Sequence, residues 1–193
     1  MARNKVTEVK SAMKENDICR TLHAVQSAES VDIAFVIDCT GSMASYIASV
    51  KDSIQNIVQW IRATNKNLSL RLAVVGYRDI EDKRRFEVLD FVDSLDTFKS
   101  FLEDLRATGG ADAPEDMAGA IQEVNKLSWS NPSQVTFLIA DAPCHGSEFH
   151  PYRDNYPAGT PGISIIDERS TKHNDHYFRE DHRAYWPNDW VLP

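Results

Sequence analysis

Residues 31–37, Val31-Asp32-Ile33-Ala34-Phe35-Val36-Ile37, form a short run that is apolar apart from one aspartate. Its length and branched side chains predict a strand buried on both faces. From Met43 the period changes. Met43, Ile47, Val50, Ile54, Ile57 and Ile61 recur at steps of three and four, which predicts one face of a long amphipathic helix. Residues 68–77 and 86–92 read as two further strands. The charged stretch 78–85 between them is shorter than the dozen or so residues that a parallel crossover needs. The third strand is therefore expected to run antiparallel, at the sheet edge.

Phe98, Phe101, Leu102 and Leu105 predict a second helix, and Met117, Ile121, Val124 and Leu127 a third. Glu115 and Asp116 precede the third helix, where carboxylates suit the positive end of the helix dipole. Val135-Thr136-Phe137-Leu138-Ile139-Ala140 predicts another buried strand, ending at Asp141. Strands alternating with helices imply an α/β fold: a Rossmann-like, mainly parallel sheet with one antiparallel edge strand and helices on both faces. Around this domain, residues 31–166, lie a polar and partly helical extension, 1–30, and a divergent tail, 167–193, rich in charge, histidine and aromatics. Gly162-Ile163-Ser164-Ile165-Ile166 is the last apolar stretch before that tail.

The net charge of −8 argues against a nucleic-acid surface, which needs a basic face. No apolar run reaches the roughly 18 residues that span a bilayer. The three cysteines, Cys19, Cys39 and Cys144, are odd in number and widely spaced, so no disulfide framework is expected. A reducing, cytoplasmic setting is the simpler reading.

Ligands of open parallel sheets sit at the carboxyl ends of the strands. Three acidic segments fall at or beside such ends: Asp38-Cys39-Thr40-Gly41-Ser42, Gly109-Gly110-Ala111-Asp112-Ala113-Pro114-Glu115-Asp116, and Asp141. Asp38, Thr40 and Ser42 alternate along a turn, so their oxygens can point to one side. Hard cations such as Mg²⁺ take about six oxygen ligands and keep several waters. Without Cys or His in the triplet, zinc is disfavoured there.

Asp-x-Thr-Gly-Ser after an apolar strand resembles the metal-ion-dependent adhesion site of von Willebrand factor A domains, and the likeness runs over about residues 31–165. The stretches around Asp38, Asp112 and Asp141-Ala142-Pro143-Cys144-His145-Gly146 look most like the A domains of alpha-kinase-type proteins. The resemblance implies a non-catalytic, kinase-associated or signalling module that binds a protein partner. It implies Mg²⁺ or Mn²⁺ held by Asp38, Thr40 and Ser42, with Asp141 acting through water. Many members carry Thr at the second-loop position; here Asp112 is expected to take it, with Thr108 as the alternative. The partner is expected to complete the metal site with an acidic side chain. A third carboxylate at Asp112 would weaken the metal's pull on that acid.

Two other readings compete. One is a haloacid dehalogenase-like, Mg²⁺-dependent phosphohydrolase with Asp38 as nucleophile. Its acid/base position, two residues on, is Thr40, a poor proton carrier near neutral pH. The other is a shortened domain whose site serves no ligand. Cys144-His145 lacks an orienting group for catalysis. His145 and His150 are expected at most to border the metal. Lys83-Arg84-Arg85 reads as a solvated turn and His173, His176 and His182 as a solvated tail. Tyr177, Tyr185, Trp186 and Trp190 are expected to cover apolar surface or mark a partner site.

Overall fold

The computed structural model of the chain describes residues 20, 25 and 28–163. The expected extension, the tail and the aromatic and histidine residues of that tail lie outside the described residues, as does Cys19.

The first apolar run forms β1 (Ser30–Asp38), which begins one residue before the predicted run and ends on the aspartate. A 3-10 turn, Gly41–Ser45, follows, and the long amphipathic helix α1 starts only at Ile47, running Ile47–Thr64. Then come β2 (Ser69–Tyr77), β3 (Phe86–Val92), α2 (Leu95–Asp104), α3 (Met117–Lys126) and β4 (Ser133–Ile139). The sheet order is β3-β2-β1-β4. β1 pairs in parallel with β2 and β4, and β3 pairs antiparallel with β2 at one edge, as the short connection predicts.

Alternation along β1 divides the core in two. Val31, Ile33, Phe35 and Ile37 face Val50, Ile54, Val58 and Ile61 of α1 and Phe98 and Leu102 of α2. Ala34 and Val36 face Met117, Ala120 and Val124 of α3. The helices on either side of β1 thus cover opposite faces of the sheet. The carboxyl ends of β1 and β4 open where the chain changes sides, the place where such sheets bind ligands.

β4 departs from the expectation of full burial. Its apolar residues Val135, Phe137, Leu138 and Ile139 are only partly buried, because β4 pairs with β1 on one side and with no strand on the other among the described residues. Phe137 still stacks on Phe35, with ring centroids 5.4 Å apart.

Candidate metal centre

β1 ends on Asp38, whose side chain is fully buried on the α3 face. The next residues turn sharply. Gly41 N–H donates to Gly109 O at 3.0 Å, and a Cβ at position 41 would stand 3.0 Å from that same oxygen. Glycine therefore lets the first loop lie against the second.

Four of the expected ligands are linked in one chain of contacts. Thr40 donates to Asp38 Oδ1 from its amide at 2.9 Å and from Oγ1 at 2.7 Å. Thr40 Oγ1 lies 3.1 Å from Ser42 Oγ. Ser42 Oγ donates to Asp141 Oδ1 at 2.9 Å. Each hydroxyl has one proton, and both protons are committed to carboxylates. The Thr40–Ser42 contact is therefore lone pair against lone pair. Asp38 Oδ2 is buried and has no hydrogen-bond partner among the described residues.

Asp112 stands apart from this chain of contacts. Its Oδ2 accepts from Asn155 N–H at 2.6 Å, and its buried Oδ1 has no hydrogen-bond partner among the described residues. Thr108 is exposed, and its amide donates to Cys39 O at 2.8 Å. The carboxylate that does reach the first loop is Glu115, expected from sequence only as a helix-start acid. A Cβ at Gly110 would lie 2.9 Å from Glu115 Oε1 and 3.4 Å from Thr40 Cβ, so Glu115 packs beside Thr40. Its backbone holds it there. Glu115 N–H donates to Pro143 O at 2.9 Å, and Glu115 forms a parallel bridge with Cys144. Its Oε2 is buried without a hydrogen-bond partner among the described residues. Asp116 keeps the cap role: it accepts from Gly119 N–H at 3.0 Å, from Arg85 Nε at 2.6 Å and from Thr160 Oγ1 at 2.7 Å. Arg85, expected in a solvated turn, is instead a brace for the start of α3.

The electrostatics follow from this crowding. Burial pushes the Asp38 carboxyl up to about 6; the bonds from Thr40 resist, and the nearby Asp141 carboxylate adds to the rise. Burial pushes Glu115 up to about 9, helped by Asp38, Asp79 and Asp82. Tyr77, beside Asp38 in the register, is fully buried and its hydroxyl has no hydrogen-bond partner among the described residues. Cys39, between Asp38 and Thr40 in sequence, is an inert thiol: burial pushes it up to about 12.

A divalent cation fits this donor set. Asp38, Thr40, Ser42, Glu115 and Asp141 offer only oxygen, three of them carboxylates, and orphaned oxygens remain. Hard cations take such ligands, whereas buried like charges without a counter-ion are unfavourable.

A second group lies farther along the same edge. Asp79, Asp112 and His145 each offer a ligand atom, all within 4.8 Å of one another. Sequence reasoning missed Asp79, although it follows the carboxyl end of β2 just as Asp141 follows β4. It saw His145 only as a neighbour of the metal.

A family model described as von Willebrand factor A domain matches residues 32–150. The alpha-protein kinase vwkA of Dictyostelium discoideum is 36% identical over 166 residues, 84% of this chain and 27% of that protein. The chain thus spans about a quarter of that relative's length. A solved structure of the pilus adhesin SpaC of Lactobacillus rhamnosus GG, in its open conformation, aligns with 60% of this chain and 15% of its own at 16% identity and a TM-score of 0.47.

Proposed function

The chain belongs to the von Willebrand factor A family, and we propose that it binds Mg²⁺ or Mn²⁺ at the carboxyl edge of its sheet to present a docking surface for a protein partner. Asp38, Thr40 and Ser42 would hold the ion from the first loop, Glu115 from the second and Asp141 from the third, with Asp141 acting through water. Family membership supports a protein-interaction module and leaves the phosphohydrolase reading without support.

One observation carries the metal reading. The linked oxygens of Asp38, Thr40, Ser42 and Asp141 share only two hydroxyl protons across three contacts, and Asp38 Oδ2 and Glu115 Oε2 have none. A dication supplies the positive charge that this set lacks. Asp112, the second-loop ligand expected from sequence, remains a rival for Glu115's place only if the two loops rearrange.

Three carboxylates already outweigh a dication. An acidic partner side chain would therefore bind this ion less strongly than it would an ion whose second-loop ligand is Thr. Similarity to a kinase supports a place for this module in a kinase-associated or signalling protein. No described helix is long and apolar enough to cross a membrane. Cys39 and Cys144 are buried, and the three widely spaced cysteines of the sequence support a reducing, cytoplasmic setting.

Thermal melting tests the reading. An ion that binds only the native state, at a hundredfold excess over its Kd, stabilises by about 2.7 kcal/mol. Millimolar Mg²⁺ or Mn²⁺ should raise the melting temperature, and Asp38→Ala should abolish the rise. A wild-type melting temperature indifferent to both ions overturns the proposal.

A further inference from the structure

We propose that Asp79, Asp112 and His145 form a second cation site, one that takes a nitrogen-accepting transition metal such as Zn²⁺. The three residues come from three different connections: the one after β2, the one before α3 and the one after β4. Among the described residues their side-chain hydrogen bonds outside the trio run to Asp154, Ala111, Ile80 and Asn155 and not to Asp38, Thr40, Ser42 or Asp141.

The imidazole carries the argument. His145 is buried, and its Nδ1 lies 2.7 Å from Asp154 Oδ1. Asp154 is itself fixed: its Oδ1 accepts from Tyr156 N–H at 2.7 Å, and its Oδ2 from Gly146 N–H at 2.8 Å. His150 Nε2 lies 3.2 Å from the same Oδ2. With a metal bound, a carboxylate so placed would take the Nδ1 proton as its hydrogen bond, set the imidazole's orientation and leave the Nε2 lone pair for the ion. This carboxylate–histidine pairing is the arrangement that supports metal-ligating histidines.

Nε2 faces another acceptor. It lies 2.9 Å from Asp79 Oδ1, inside the roughly 3.4 Å edge of a tetrahedral site with bonds of about 2.1 Å, so the two ligand atoms would part by about half an ångström around an ion. Asp79 is held by Ile80 N–H at 2.6 Å and Ala111 N–H at 3.2 Å. Asp112 contributes its buried Oδ1, which has no hydrogen-bond partner among the described residues, while Asn155 N–H fixes its other oxygen. One imidazole nitrogen with two carboxylate oxygens suits zinc and its neighbours in the first transition row better than Mg²⁺. The rival state is an imidazolium bridging Asp79 and Asp154 with no metal role.

Zinc competition with a chromophoric chelator separates the two, using the purified chain stripped of metal and then saturated with Mg²⁺. The wild type should take up one Zn²⁺. Asp112→Asn, which removes a partly exposed carboxylate and so spares the fold, should weaken that binding about tenfold or more. Its circular dichroism and metal-free melting temperature should match the wild type. Asp38→Ala should keep the zinc affinity even though it loses the Mg²⁺ response, so failure here and failure of the first site are distinguishable. No zinc uptake by the wild type overturns the proposal. So does an Asp112→Asn variant that binds zinc as tightly as the wild type, or a zinc affinity lost with Asp38→Ala alone.

Discussion

Asp32 and Asp38 lie in one strand, six residues apart, on the same face of the sheet, and both are fully buried. Their surroundings are opposite. Asp32 accepts two bonds from Arg71, at 2.9 and 2.7 Å, two from the amides of Ser130 and Asn131, and one from Asn131 Nδ2 at 2.7 Å. Burial raises its carboxyl, but these donors and the Arg71 charge outweigh burial and hold it below the usual carboxylate range. Asp38 has two bonds from one residue, a bare Oδ2 and acidic neighbours. One end of β1 uses its aspartate as a staple between β1, β2 and the segment leading into β4. The other end keeps its aspartate short of donors. Buried polar groups are almost always satisfied, so the deficit marks the end where a ligand belongs.

The sharpest way to break this comparison is to remove each carboxylate in turn. Asp32→Ala leaves Arg71 without its charge partner and several donors without an acceptor. Breaking a buried pair in this way costs about 3–5 kcal/mol; the lower end is expected, because Arg71 is partly exposed. Asp38→Asn, in metal-free buffer, should be neutral or stabilising. Urea unfolding of both variants gives the two midpoints. If Asp38→Asn loses as much stability as Asp32→Ala, the two ends of β1 do not differ in how well their aspartates are satisfied.

Acid and base titrations sharpen the same contrast, because the two shifts have opposite signs. The folded-state carboxyl of Asp32 lies below its unfolded value, near 3.9. Its contribution is therefore present above that value and lost as pH falls through the folded one. The folded-state carboxyl of Asp38 lies near 6 against 3.8. Its contribution is full below the unfolded value and lost as pH rises through about 6, a swing of about 3 kcal/mol. Metal-free protein should thus melt at a lower temperature at pH 7 than at pH 5. Saturating Mg²⁺ should flatten or reverse that slope, because protons and metal compete for the same oxygens. Melting curves across this range with and without Mg²⁺ decide it; a metal-free melting temperature that rises from pH 5 to pH 7 contradicts the assignment.

What the sequence made legible follows the same physical line. That Asp38, Thr40 and Ser42 come together was readable because one turn holds all three, and that Asp141 joins them because an apolar strand ends beside it. The antiparallel β3 was readable from the length of one connection. Glu115 was not. Pro114-Glu115-Asp116 before an apolar period gives the same capping signal for both acids. Which one caps α3 is decided by the bridge from Glu115 to Cys144, 29 positions away by their numbering. The pairing of His145 with Asp79 spans 66 positions, and that of Arg85 with Asp116 spans 31. Local periodicity carries no record of such contacts. It does carry the alternation that put Asp79 at a strand end, a signal hidden by the charged run that follows.

The smallest expected effect tests which second-loop acid serves the ion. Glu115 lies beside Thr40, and its carboxyl is pushed up to about 9 by burial and by Asp38, Asp79 and Asp82. In metal-free protein its contribution to stability is full below about 4.5 and is lost as pH rises toward 9. Glu115→Gln removes that titration while keeping the shape and the backbone bridge. Between pH 7 and pH 9 the metal-free variant should therefore melt with a flatter pH dependence than the wild type. With Mg²⁺ the sign reverses. Loss of one of three carboxylates should weaken binding about tenfold, or about 1.4 kcal/mol. Asp112→Asn should leave Mg²⁺ binding unchanged, since its carboxylate hydrogen-bonds to Asn155 and, among the described residues, not to the first loop. Isothermal titration of the two variants compares them directly. An Asp112→Asn variant that loses Mg²⁺ affinity while Glu115→Gln keeps it would return the second-loop role to Asp112 and leave Glu115 as a buried acid whose unpaired oxygen awaits another explanation.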